Sequence, residues 1–251
     1  NSASNSAAKN IAETIMETKR FGAGSRSSSS RSSSSSNNNG KIVCFLFTGQ
    51  GSQYKNMGQE LYENEHIFRD IINHCDLILR NILPQRLLDV LYNPEISADI
   101  INDTRYTQPA IFAIEYALAC LWLSKGLEPD IVCGHSVGEY VAATVAGVLS
   151  LEDGLRLIAA RGSSMADCDP NEGVMMAIRA TEETLQKAIE VVVSTKEPKL
   201  LDMVAIAAVN GPKSCVLAGY GPWVELVISA LPTGTGVSQL AVSHAFHSPM
   251  M

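Results

Sequence analysis

Ile42-Val43-Cys44-Phe45-Leu46-Phe47 is an unbroken apolar run, the pattern of a strand buried on both faces in a parallel sheet. A turn follows at Thr48-Gly49-Gln50-Gly51. Apolar residues then recur at helical spacing over Asn56 to Leu79 and Pro109 to Lys125, and Asp130-Ile131-Val132-Cys133 predicts a second short buried strand. Strands separated by helices imply an α/β layer architecture. After Gly173 the rhythm changes to strand, helix, strand, strand, helix, strand. The strands are predicted at Val174 to Arg179, Val204 to Val209, Cys215 to Gly219 and Val237 to Val242, and the helices at Glu182 to Val193 and Pro222 to Ala230. That order is the split βαβ pattern of a ferredoxin-like unit. The expected organisation is therefore a larger α/β subdomain over 41–173 and 243–251, with a ferredoxin-like subdomain over 174–242 inserted into it. A cleft between the two is the natural place for a substrate.

Residues 1–40 read as a linker. From Ser25 to Asn39 the chain is almost entirely Ser and Asn with two Arg, too polar to offset chain entropy by burial, so a flexible tether is expected. Upstream, Asn10 to Phe21 has the spacing of a short amphipathic helix, marginal on its own and given no function. The chain starts without methionine and stops at Met251 directly after a motif-rich segment, the look of a piece of a longer multidomain protein, in which a tether has a purpose.

With 46% hydrophobic and 18% charged residues among 251, there is ample material for a core. A net charge of −7 supplies no global basic field, which argues against nucleic acid or an anionic membrane as principal partner. No stretch approaches the roughly 20 apolar residues that span a bilayer, and the first residues lack a secretory h-region. Six cysteines are scattered singly with no zinc-type spacing, and they read as reduced core residues of a cytoplasmic protein.

Gly134-His135-Ser136-Val137-Gly138 fits G-x-S-x-G, with a predicted strand before it and an apolar helix after it. In that setting the large subdomain reads as α/β-hydrolase-like. The serine hydroxyl stands exposed at a sharp turn, and the next backbone N–H, from Val137, is placed to donate to an oxyanion. A serine nucleophile needs a base, and five histidines are available. His66 and His74 read as solvent-facing helix residues. His135 shares the serine's turn, where neighbouring side chains point apart, so it suits lining the pocket better than taking the proton. The pair His244 and His247 remains, in a segment that follows the last predicted strand.

These residues resemble malonyl-CoA:acyl-carrier-protein transacylases, and more closely the acyltransferase domains of polyketide and fatty acid synthases. The likeness runs from Lys41 to Met251 and rests on Phe47-Thr48-Gly49-Gln50-Gly51-Ser52-Gln53, Thr107-Gln108-Pro109-Ala110, the serine pentapeptide with Glu139, Ala159-Ala160-Arg161-Gly162, Val209-Asn210-Gly211-Pro212 and His244-Ala245-Phe246-His247. The resemblance implies Ser136 as nucleophile, His247 as general base and acid, and Gln50 with the backbone of Val137 at the oxyanion. It implies Arg161 pairing with the free carboxylate of a malonyl group, with Gln108, His135, Met165 and Phe246 as further substrate-binding residues. A planar guanidinium suits that role physically, since it meets a carboxylate at two points. Ser150 and Asp153 begin the Arg161 helix in capping-box fashion, and Met165 lies one turn beyond Arg161 on the same face.

The implied reaction is ping-pong, from malonyl-CoA to Ser136 and then to the phosphopantetheine thiol of an acyl carrier protein, with neighbouring synthase domains as partners and no bound metal or cofactor. The resemblance also has the catalytic histidine oriented by a backbone carbonyl beyond Met251. His-Ala-Phe-His goes with malonyl in this family, since Phe246 crowds an α-methyl group, and one methyl discriminates by about 1–3 kcal/mol. Gly49-Gln50-Gly51 lacks the third glycine of a dinucleotide fingerprint. Two other readings stay open here. One is a serine hydrolase or thioesterase, which uses the same elbow. The other is a catalytically silent domain that docks a carrier protein.

Overall fold

The computed structural model describes residues 42–168, 172–195 and 202–251, so the expected tether and its upstream helix lie outside the described residues. The chain divides into two compact units between Ser164 and Met165.

In the first unit, β1 (Cys44–Phe47) pairs in parallel with β2 (Ile131–Gly134), with Phe47 opposite Gly134. Between them run α1 (Gln59–Asn64), α2 (His66–Leu79), α3 (Leu87–Tyr92) and α4 (Thr104–Ser124). After β2 come α5 (Val137–Val145) and α6 (Leu151–Ala166). The core is helical: Phe68, Ile72 and Cys75 of α2, Phe112, Ala113 and Ala117 of α4, Val141 of α5, and Leu155 and Ile158 of α6 are all buried. Burial pushes the Cys75 thiol pKa far up, keeping it neutral. Asp76, 1% exposed, accepts from Arg86 Nη2 at 2.8 Å and from the Leu88 N–H at 3.2 Å, and so ties α2 to α3.

The sheet departs from the expectation of burial on both faces. Phe47 is buried and Phe45 packs on the helical core, but Leu46 is 74% exposed and Ile131 52%, and Cys44 and Cys133 beside them are exposed free thiols. A period of two sorts these residues onto opposite faces, and only one face carries helices among the described residues. His74 also differs from its predicted solvent exposure, being half-buried in α2.

Helix α4 starts five residues before the predicted Pro109. Asp103 caps it, accepting from the Arg105 N–H at 2.9 Å, and Pro109 sits within its second turn. There the proline forgoes only one early hydrogen bond, so the helix tolerates it. The earlier start puts Thr104 and Gln108 four residues apart on one helical face.

The second unit contains β3 (Gly173–Ile178), α7 (Glu182–Thr195), β4 (Val204–Gly211), β5 (Ser214–Tyr220), α8 (Gly221–Ser229) and β6 (Val237–Gln239). Its sheet has the order β4-β5-β3-β6, antiparallel throughout, which is the split βαβ topology. Alternation sorts its residues: Ile178, Cys215 and Leu217 face α7 and α8 through Leu185, Ile189, Val224 and Val227, whereas Met175, Val216 and Ala218 point to the other face. That other face is covered by Ala245 and Phe246. Residues 165–168, 172–173 and 243–251, assigned from sequence to the larger subdomain, thus belong to the second unit. Met165, Ala245 and Phe246 among them cluster on the side of its sheet away from α7 and α8, a long-range fit that no local periodicity records.

Candidate acyl-transfer site

Ser136 occupies the turn between β2 and α5 with φ 53 and ψ −105, a conformation that costs a non-glycine residue about 1–3 kcal/mol. The glycines around it are obligatory. A Cβ on Gly134 would lie 2.0 Å from the Gly138 carbonyl carbon, and one on Gly138 would lie 2.5 Å from the Phe47 carbonyl oxygen. The turn is held by His135 N–H donating to Phe47 O at 3.0 Å and by Gly138 N–H donating to His135 O at 3.0 Å. Val137, fully buried, supplies the first N–H of α5, where the helix dipole favours negative charge. The exposed His135 ring packs against Gly49 in the loop after β1.

Arg161 reaches this serine from α6, whose first turn is capped as expected: Ser150 Oγ accepts from the Asp153 N–H at 3.0 Å. Helix α6 approaches the start of α4 closely because residue 162 is glycine, since a Cβ there would stand 2.8 Å from the Thr104 carbonyl oxygen. Arg161 Nη2 donates to Ser136 Oγ at 3.3 Å and Nη1 donates to Gln108 Oε1. The Arg161 Cζ atom stands 5.9 Å from the centre of the Tyr140 ring, a cation–π contact. Burial lowers the guanidinium pKa from its ordinary value, with Tyr140 opposing. It remains charged, in a partly desolvated position beside neutral groups.

The hydrogen bonds continue. Gln108, fully buried, donates from Nε2 to Thr104 Oγ1 at 2.8 Å, and the Thr104 hydroxyl donates to Gln50 Oε1 at 3.0 Å. Four residues from three segments of the first unit are thereby joined in series. The loop that carries Gln50 is anchored separately, because Glu115 Oε1 accepts from Thr48 N–H at 2.6 Å and from Thr48 Oγ1 at 2.7 Å. Burial raises the Glu115 pKa, and the Thr48 bonds oppose that shift.

The remaining predicted site residues belong to the second unit. His247 is exposed at φ 59 in the closing segment, and Phe246 beside it is 6% exposed. His244 is buried, with Nε2 3.1 Å from the Cys168 carbonyl oxygen and Nδ1 2.8 Å from Ser243 Oγ. Both of its ring nitrogens are thus engaged, as for a structural histidine. Met165 packs against the apolar cluster that holds Phe246.

Residues 44–251 match the model of the acyl transferase domain family. The chain belongs to that family. This acyl transferase domain is 43% identical over 210 residues to the polyketide synthase GfsB of Streptomyces halstedii, a match that takes in 83% of the chain and 4% of that protein. Among solved structures it is similar to the acyltransferase domain from the second module of the salinomycin polyketide synthase, with a TM-score of 0.73 and 39% identity, over 84% of this chain and 47% of that one. It is also similar to the malonyl CoA-acyl carrier protein transacylase of Clostridium perfringens, with a TM-score of 0.73 and 29% identity, over 84% of this chain and 64% of that one. The acyl transferase domain thus spans a small fraction of its curated relative and about half to two thirds of these structures.

In this acyl transferase domain Ser136, Arg161, Gln108 and Gln50 are brought together in one connected set. Sequence reasoning missed Thr104 and Tyr140. For Thr104 the signal was its i, i+4 spacing to Gln108, hidden by placing the helix start at Pro109.

Proposed function

We propose that this domain moves a malonyl group from malonyl-CoA to the phosphopantetheine thiol of an acyl carrier protein, through an ester on Ser136, as one step of polyketide or fatty acid assembly. The observation that carries this reading is Arg161, a half-buried guanidinium 3.3 Å from the nucleophilic oxygen, with Gln108, Ser136 and the Tyr140 ring as its neighbours. The free carboxylate of a malonyl ester is one carbon from the acyl carbonyl, so an acyl group on Ser136 Oγ carries its acid within reach of that cation. Two charge-assisted hydrogen bonds then replace lost hydration of the guanidinium.

His247 is assigned the proton transfers on the strength of its motif. As Ser136 Oγ attacks the thioester carbonyl carbon, its proton passes to His247. The carbon–sulfur bond breaks and the CoA thiolate takes that proton. In the second half the carrier thiol gives its proton to His247, its sulfur attacks the ester carbonyl, and Ser136 Oγ leaves and is reprotonated. The Val137 N–H, with Gln50 beside it, stabilises the oxyanion in both halves. Phe246 disfavours an α-methyl group.

Intact-mass spectrometry after brief incubation with malonyl-, methylmalonyl- or acetyl-CoA tests the reading. A malonyl adduct is expected on the parent chain and none on Ser136→Ala. Absence of any adduct on the folded parent chain refutes acyl transfer by this chain and favours a carrier-docking role.

A further inference from the structure

Arg161 is a half-buried cation whose side-chain partners are neutral. Gln108 Oε1 and Ser136 Oγ accept from its two Nη atoms, and among the described residues no carboxylate forms an ion pair with it. A cation withdrawn from water loses hydration that neutral acceptors replace only in part. One further group faces it. The Arg161 Cζ atom lies 5.9 Å from the centre of the Tyr140 ring, and Tyr140 opposes the lowering of the guanidinium pKa that burial brings. Ser136 stands at the start of α5 and Tyr140 four residues on, so one helical turn carries both the nucleophile and the ring. The ring is seated on the helical core of the first unit, which fixes its place. An aromatic face attracts a cation through its quadrupole without taking up a hydrogen-bonding fork. Of the five guanidinium N–H groups, Gln108 and Ser136 engage two, and the others stay open.

We propose that Tyr140 is a positioning residue for acid-group selection: its ring holds the Arg161 guanidinium in place in the empty site and leaves N–H groups of the cation open to the carboxylate of the acyl donor. The inference rests on the reading above that Arg161 pairs with that carboxylate. An aspartate or glutamate in the place of the ring would hold the cation more strongly, but it would occupy the fork and repel an acid-bearing donor. The ring restrains the cation and does neither. A guanidinium already held by Gln108, Ser136 and Tyr140 loses less side-chain freedom when the donor arrives, and that saving appears as affinity for the acid group.

The test is Tyr140→Leu, which removes the ring, beside Tyr140→Phe, which keeps it. Acylation of the full chain is followed with malonyl-CoA and with acetyl-CoA, and kcat/KM is taken for each. Expected for Tyr140→Leu is a fall of about fivefold with malonyl-CoA and of less than about twofold with acetyl-CoA, since only the acid-bearing donor uses the cation. Tyr140→Phe should stay within about twofold of the parent chain with both donors, because the ring face survives loss of the hydroxyl. In an Arg161→Ala background Tyr140→Leu should lower the malonyl value no further, because the group it positions is gone. A ring that only packs would, once removed, slow both donors alike and lower the melting temperature in either background. Equal losses with the two donors, a parent-like malonyl value in Tyr140→Leu, or an undiminished effect in the Arg161→Ala background overturns the proposal while leaving the acyl-serine reading intact. If the parent chain takes no acyl group from either donor, that reading fails, and the contact is judged on the Arg161 Nε–Hε resonance of the full chain without donor. That signal should move in Tyr140→Leu as the ring current is lost and hold its place in Tyr140→Phe, and an unmoved signal in Tyr140→Leu overturns the proposal.

Discussion

Replacing Arg161 by alanine should collapse the preference for acid-bearing donors while sparing neutral ones. In the parent domain a malonyl carboxylate would gain a two-point, charge-assisted pair with a half-buried guanidinium. Hydrogen bonds to charged groups contribute about 1.5–3 kcal/mol each, and partial solvent exposure holds the pair to about 3 kcal/mol in all. At about 1.4 kcal/mol per decade, kcat/KM for malonyl-CoA should fall by about 100-fold. Acetyl-CoA has no carboxylate and should change by less than about threefold, through the Nη2 bond to Ser136 Oγ alone. Two opposing effects keep the fold's stability nearly level: the variant removes a partly desolvated charge, and it leaves Gln108 Oε1 without that donor. Arg161→Lys keeps the charge without the fork and should fall between, at about tenfold for malonyl. The assay is acylation of Ser136 by each donor, with kcat/KM taken from the initial rates. An equal loss for malonyl and acetyl donors would refute the reasoning, because it would mean that Arg161 supports the elbow and not the acid group.

Gly162→Ala places a methyl 2.8 Å from the Thr104 carbonyl oxygen, which is backbone and must move. An overpacking cost of about 1–3 kcal/mol should exceed the roughly 1 kcal/mol that alanine gains in helix propensity, so the melting temperature falls and malonyl selectivity falls with it. A more stable variant of unchanged selectivity would show that the helix approach does not position Arg161. Glu115→Gln should alter how stability varies with pH. The Glu115 pKa is raised by burial, so above the ordinary carboxylate range the unfolded chain has already lost a proton that the folded one retains, and stability declines as pH rises through the folded value. Urea unfolding at about pH 4 and about pH 7 should show the variant gaining on the parent toward pH 7, while its amide oxygen still accepts from Thr48. A constant difference between the two conditions would contradict that assignment.

What the sequence determined by itself is what short-range chemistry encodes. The serine pentapeptide needs its two glycines because the chain turns within a few residues, and the order of strands and helices after Gly173 follows from periods of two and 3.6 that each segment carries internally. The capping of α6 by Ser150 was legible for the same reason. Motif order named the residues Ser136, Arg161, Gln108 and Gln50, yet not their connection. Only tertiary structure decided that Arg161, 53 residues from Gln108, donates to the Gln108 carboxamide, and that Thr104, 54 residues from Gln50, donates to the Gln50 side chain. It also decided that Leu46 faces outward and that Ala245 and Phe246 close the second unit's sheet. Such outcomes depend on which surfaces meet, and a side chain's partner across the fold leaves no trace in the spacing of its neighbours along the chain.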